Sequence, residues 1–344
     1  MRVAICGVQV PFVHGGSEAL VDSLARELRA RDIQTDIVQL PFKWYPPSEV
    51  LTHALAWRLL DITESQGRPV DLVIGTKFPS YLVRHPRKVL WLFHQFRQAY
   101  DLHGSVFGDL TDSPEDERVR QSVRRMDERA FKECTVVYTI SGTVSDRLRR
   151  FNGVESRPLY PPPPLGECYR CDSYGDFILS AGRLESIKRV DLLLRALATA
   201  KNKTRCVITG EGPEKETLHR LAQELGVKAD FPGWVSQEEL LRLYATCRAV
   251  FHAPFDEDYG FITLEAFRSS KPVLTATDAG GVLEWVTDGE TGLVSVPDPS
   301  EMARLIDRAV EDPEACRRMG EAGRRHAGGL SWDAVVGALL GQAA

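Results

Sequence analysis

Short apolar runs alternate with amphipathic stretches along almost the whole chain. RVAICGV (residues 2–8), IQTDIVQL (33–40), DLVIGT (71–76), KVLWLFH (88–94) and ECTVVYTIS (133–141) each read as a strand. Between them lie helical patterns. Leu20, Leu24 and Leu28 recur on one helix face, with Arg26, Arg29 and Arg31 on the other. Gly15-Gly16-Ser17-Glu18 is a glycine turn feeding that helix, with Ser17 as its cap. A Pro-aromatic loop, PFKWYPP (41–47), precedes a second helix from about Ser48 to Ser65, and a charged helix ends near Phe131. Strands apolar on both faces, separated by helices, predict a parallel, doubly wound sheet.

The pattern breaks once. PLYPPPPLGECYRCDSYG (158–175) contains four consecutive prolines, which fit neither a helix interior nor a central strand. We read residues 161–175 as a linker between an N-terminal domain (1–160) and a second domain (176–328). The alternation then restarts with DFILSAGR (176–183), RCVITGEG (205–212), VKADFPG (227–233), RAVFHAPF (248–255), KPVLTAT (271–277) and TGLVSV (291–296) as strands. Helices are expected from Arg189, Glu214, Gln237 and Gly260, a short one near Gly281, and a pair over Pro299–Arg325 broken near Pro313. A last helix, Trp332–Leu340 within 329–344, is expected to pack back on the N-terminal domain. The fold class is therefore α/β: two doubly wound, Rossmann-like parallel-sheet domains facing a cleft.

Charge and composition narrow the function. A net charge of −5 gives no global electrostatic case for nucleic acid. No apolar run approaches the roughly 20 residues that span a bilayer, and the N-terminus reads as a first strand, not a signal peptide. Seven scattered cysteines fit a reducing compartment, so a cytoplasmic setting is expected. Cys168 and Cys171 have C-x-x-C spacing but no second pair, and read as plain linker residues. A nicotinamide dehydrogenase is disfavoured because the first strand is not followed by G-x-G-x-x-G.

The chemistry concentrates in FDEDYGFITLEAF (255–267). Glu257 lies on a loop after an apolar strand, and Glu265 lies a turn into the next helix. Free N–H groups of that helix's first turn, near Gly260, Phe261 and Ile262, point into the same space. Free donors for phosphates and carboxylates for hydroxyls suit a nucleoside diphosphate attached to a sugar. Arg183 and Lys188, in SAGRLESIKR, place two cations past another strand end, where open sheets bind ligands. Gly210-Glu211-Gly212-Pro213 is a strand-to-helix turn beside them.

AGRLESIKR, ITGEGPEKETL, FPGWVSQEELLRLYATCRAVFHAPF and EDYGFITLEA…GGVLEWVTDGETGLV follow the order and spacing of the family-4 retaining glycosyltransferases of GT-B fold, which this chain resembles. The resemblance covers the second domain. In the first it rests on Gly15-Gly16, on His94 and on Ser141. It implies that Arg183 and Lys188 stabilise the leaving diphosphate, that Glu257 contacts the donor sugar and that Glu265 contacts the ribose. Gly15, Gly16, Gly210 and Glu211 would border the nucleotide, Trp234 and Val235 the base, and His94 the reacting sugar. Gln95, Arg97, Tyr100 and Asp101, in a polar and aromatic loop, are acceptor candidates. The acceptor would be a saccharide, a lipid-linked molecule or a small molecule. No cofactor and no metal site are expected, although Asp256-Glu257-Asp258 superficially imitates a cation-binding pair. An epimerase or hydrolase on this fold would need a further acid–base pair. A non-catalytic nucleotide-sugar-binding subunit would not need both cations and both carboxylates. The helix Arg118–Lys132 carries cations that could meet anionic lipid at the inner membrane face, but interleaved carboxylates favour a solvated face.

Overall fold

Both six-stranded sheets are wholly parallel, as strands buried on two faces require. The structure, a computed structural model, describes residues 1–13 and 15–341. Contacts divide the chain into two units: Met1–Pro164 with the segment from Ser331 onward, and Leu165–Leu330.

The first unit contains β1 (Arg2–Gln9), α1 (Gly16–Arg29), β2 (Gln34–Pro41), α2 (Glu49–Leu59), a hairpin of β3 (Glu64–Ser65) and β4 (Arg68–Pro69), β5 (Leu72–Gly75) and β6 (Lys88–Leu92). It continues with α3 (Pro114–Lys132), β7 (Val136–Thr139), α4 (Gly142–Asn152) and β8 (Arg157–Pro158). The strand order is β2-β1-β5-β6-β7-β8. β5 and β6 are buried at every position.

Two expectations change here. The second helix stops at Leu59, six residues short, because Leu60 turns extended and Asp61 folds back on the Thr63 amide and hydroxyl at 3.0 and 2.6 Å. Gln66 and Gly67, both at positive φ, then close the small hairpin. The cap of α1 is Gly15, not Ser17. Glu18 reaches back to the Gly15 N–H at 2.9 Å, while the Ser17 hydroxyl accepts from Lys77 at 2.7 Å.

The core of this unit holds two polar clusters. Lys88 is fully buried, and its ammonium donates to the Tyr81 and Val83 carbonyls and to Glu133, which also takes Arg58 in a fork at 2.7 and 2.9 Å. Removing one partner of such a cluster strands a buried charge. Glu133→Ala is expected to lower stability by about 2 kcal/mol, less than for a fully buried pair because Glu133 is part-exposed, as read by urea unfolding. The second cluster centres on Asp127, whose carboxylate accepts from Tyr81 and Tyr100, each at 2.8 Å. Burial pushes Asp127 up to about 7, against the pull of its two tyrosine donors. The charges of α3 pair along the helix, Arg120 with Glu117 and Lys132 with Glu128, and Arg124 turns inward to the Ala99 carbonyl. That is the pattern of a solvated face.

The second unit runs β9 (Phe177–Ala181), α5 (Val190–Thr199), β10 (Arg205–Thr209), α6 (Lys215–Glu224), β11 (Ala229–Gly233), α7 (Gln237–Thr246) and β12 (Ala249–Phe251). Then come α8 (Phe261–Arg268), β13 (Val273–Ala276), β14 (Gly292–Ser295), α9 (Pro299–Glu311) and α10 (Pro313–His326). Its strand order is β11-β10-β9-β12-β13-β14. Chain order therefore reverses between β9 and β12, and the loops leaving those two strands part at the carboxyl edge of the sheet. An open α/β sheet binds its ligand at such a point. The core below is formed by α5, α9 and the sheet, with Leu193, Ile208, Leu274 and Ile306 fully buried.

Helix α11 (Trp332–Leu340) returns to the first unit. Its Asp333 pairs with Arg31, Trp332 meets Trp91 edge-on at 6.4 Å, and its Leu340 and Ala338 carbonyls accept from Arg87 and Tyr138.

Candidate functional site

The loop leaving β9 passes Gly182, Arg183 and Leu184 and enters a short 3-10 turn, Ser186–Lys188. Gly210, in the neighbouring loop after β10, makes room for it. Gly210 has φ +116°, and a Cβ there would lie 1.9 Å from the Gly182 carbonyl oxygen. Lys188 ends the 3-10 turn, and its ammonium makes an ion pair with Glu257 on the loop leaving β12. The two strands that flank the chain reversal thus bring together a cation and a carboxylate predicted from separate motifs. Arg183 stands nearby with half its side chain exposed, 3.0 Å from Glu185.

Glu257 is held by main chain on both sides. Its N–H donates to the Ala279 carbonyl at 3.2 Å, and its own carbonyl accepts from Gly281 at 2.7 Å. Burial alone would raise its pKa. Lys188 and then His252 outweigh this, and the carboxylate stays below its usual range. The pair therefore persists as pH falls to the ordinary carboxylate range and is lost only below it.

Gly260 precedes α8 at φ +84°, a backbone state that favours glycine. A Cβ there would also sit 2.9 Å from Val282 Cγ2. The turn aims the first N–H groups of α8, those of Phe261 and Ile262, away from the helix. Ile262 lines a small recess with Gly182, Arg183, Lys188 and His252. One turn on, the part-buried Glu265 accepts from the Tyr244 hydroxyl at 2.7 Å. Burial raises the Glu265 pKa, and the Tyr244 bond opposes that rise.

Three residues of this site escape a sequence reading. Arg189, at φ +52°, donates to the Ala253 and Pro254 carbonyls at 2.8 and 2.7 Å and forks onto Asp278. It ties the β9, β12 and β13 loops together, so it positions Glu257 without facing the recess. Tyr244 orients Glu265 from α7. His252 hides in an apolar strand pattern. Only the polarity of one residue in RAVFHAPF could have pointed to it.

The base-side candidates are open to solvent. Trp234 is 73% exposed, so its ring is not core packing. Val235 beside it is half-buried. Glu211, exposed, pairs with Lys215.

In the first unit, Gly15 and Gly16 begin α1 beyond β1, next to β5, where that sheet also reverses its order. His94 is half-buried just past β6, its Nδ1 2.8 Å from the Gln95 carbonyl oxygen. The four acceptor candidates face inward. Gln95 is fully buried and donates to Asn152 at 2.5 Å, and Arg97 forks onto Asp101 at 2.8 and 2.6 Å. Tyr100 donates to Asp127 and accepts from Asn152 at 3.1 Å. Their polar groups brace the loop after β6 against α3 and α4.

Residues 172–326 match the family described as glycosyl transferases group 1. The chain is similar to the D-inositol 3-phosphate glycosyltransferase of Streptomyces coelicolor, with 35% identity over 174 residues, 46% of this chain and 38% of that relative. The corresponding protein of Frankia alni is 30% identical over 206 residues, 55% of this chain and 50% of that relative. The chain thus spans half or less of the length of these curated relatives. Solved structures extend the likeness of fold beyond the matched stretch. Sucrose-phosphate synthase from Thermosynechococcus elongatus superposes with TM-score 0.79 at 17% identity, covering 99% of this chain and 97% of that one. WaaG, a glycosyltransferase involved in lipopolysaccharide biosynthesis, gives 0.71 at 17% identity and 98% coverage of both chains. Anabaena HepE, solved with UDP and glucose, gives 0.71 at 17% identity over 98% of this chain and 96% of that one. The fold is GT-B, with two Rossmann-like units. Among the described residues no helix is long and apolar enough to cross a membrane.

Proposed function

We propose that the protein is a retaining, metal-independent hexosyltransferase. It moves a sugar from a UDP- or GDP-sugar to a hydroxyl on a saccharide, lipid-linked or small-molecule acceptor, in glycan or glycoconjugate synthesis. One observation carries the reading. Lys188, Glu257 and the amino end of α8 meet where the β9 and β12 loops part, inside the stretch that matches the group 1 family.

The reaction breaks the bond between the sugar's anomeric carbon and the terminal phosphate oxygen. Negative charge then grows on the diphosphate. Arg183, Lys188 and the first N–H groups of α8 would stabilise that charge. An incoming diphosphate draws Lys188 from Glu257, which frees the carboxylate to accept from sugar hydroxyls. Glu265, oriented by Tyr244, would take the ribose hydroxyls. The acceptor oxygen bonds to the anomeric carbon on the face the phosphate leaves, and its proton passes to the departing phosphate oxygen. His94 is assigned to the reacting sugar, Gly15 and Gly16 to the donor phosphate, and Trp234 and Val235 to the base.

Incubation with a panel of UDP- and GDP-sugars and candidate acceptors, with products read by mass spectrometry, tests the reading. Proton NMR of the product should show the donor's anomeric configuration kept. Turnover should be unchanged by EDTA. Inversion, or loss of activity with EDTA, would refute the corresponding part.

A further inference from the structure

His252 is the buried titratable group of this site that the proposed reaction leaves unused. Its main chain is fixed in the sheet: the N–H donates to the Leu274 carbonyl at 3.0 Å, and the carbonyl accepts from the Thr275 hydroxyl at 2.7 Å. Its side chain is only 6% exposed, and its Nε2 has no hydrogen-bond partner in the protein. A buried polar atom left unpaired costs stability. Folding alone does not explain an imidazole here, just past a strand built from Ala249, Val250 and Phe251.

The placement of that nitrogen does suggest a reason. Nε2 faces Gly260, the residue before α8, and lies 3.6 Å from where a Cβ on Gly260 would be. Thr263 Oγ1, also buried and unpartnered, lies 3.5 Å from the same point. The ring lines the recess shared with Gly182, Arg183, Lys188 and Ile262. Two cations and a helix amino end favour an anion here. Burial, helped by Lys188 and opposed by Glu257, pushes the His252 pKa down to about 4. A ring neutral at physiological pH still offers one N–H, yet does not compete with Lys188 for Glu257.

We propose that His252 is a phosphate-binding residue, donating its Nε2–H to an oxygen of a nucleoside diphosphate seated at the amino end of α8. This rests on the reading of the site as a nucleotide-sugar site. It adds a neutral donor to the charged ones and makes the diphosphate, not the base or the hexose, the group that His252 recognises.

Calorimetric titration with UDP and GDP, and with uridine and guanosine, tests this on the full chain. His252→Leu should weaken nucleoside diphosphate binding about 10-fold or more and leave nucleoside binding unchanged. His252→Gln, which keeps an N–H near the Nε2 position, should restore most of the loss. In the unaltered protein, the His252 Nε2 signal in 15N NMR should shift on adding the diphosphate, a readout that needs no variant. Equal diphosphate affinity in His252→Leu, or an unmoved Nε2 signal, would overturn the inference and leave the site reading standing. Parallel loss of nucleoside and diphosphate binding, unrescued by glutamine, would reduce His252 to a structural residue. If the unaltered protein binds neither UDP nor GDP, both readings fall.

Discussion

Lys188→Ala is expected to lower the turnover of sugar transfer by about 10²–10³-fold, with a much smaller change in donor KM. The asymmetry follows from when the interaction matters. In the ground state Lys188 already has a partner, Glu257, so part of its attraction for the diphosphate goes to breaking that pair. As the glycosidic bond stretches, charge accumulates on the phosphate oxygens and the ammonium gains strength there, in a half-enclosed recess where its field is weakly screened. The alanine variant loses that gain and also leaves Glu257 buried without its cation, free to repel the diphosphate. A double variant, Lys188→Ala with Glu257→Gln, should therefore lose less than the two single losses combined. Steady-state kinetics of the four proteins checks both statements. A fall in turnover below about 10-fold for Lys188→Ala would remove it from the catalytic machinery.

Asp127 is expected to take stability away as pH rises from about 4 to about 7. Its carboxyl takes up its proton near 7 when folded and near 4 when the chain is open, so over that window the native state binds more protons. The contribution is complete below the unfolded value and is lost as pH passes the folded one. Three pKa units correspond to roughly 4 kcal/mol. Acidic groups with lowered values, Glu18, Glu133 and Glu257 among them, act in the opposite sense and at lower pH, and His252, pushed down to about 4, opposes Asp127 within the same window. Asp127→Asn should therefore gain stability relative to the unaltered protein as pH rises from about 5 to about 7.5, while sparing the acid-side transition. Urea unfolding of both proteins across that range is the measurement, and a slope unchanged in the variant would contradict it.

Much of the candidate site was legible because its residues lie at strand ends, which apolar runs locate well. Lys188 and Glu257 are 69 residues apart, yet each follows a strand that the pattern marks, and parallel pairing of β9 with β12 brings them together. What stayed hidden depends on partners that no local pattern announces. Arg189 matters through Asp278, 89 positions away. His252 looks like a strand residue until its neighbours are known. Gln95 and Tyr100 look like exposed polar groups of a loop, and only the Asp127 and Asn152 partners show that they face inward. The overlong second helix failed for a simpler reason: Asp61 and Thr63 close a turn on each other, a competition that periodicity does not register.

The return of α11 bears on how this chain is made. A ribosome finishes the whole of Leu165–Leu330 before it emits Val335, Val336 and Leu339, which the first unit buries. A nascent chain ending at Pro164 thus carries an uncovered greasy seam beside Trp91, whereas the second unit can mature as one uninterrupted span. Cotranslational pulse-proteolysis should find the later-synthesised unit protected first.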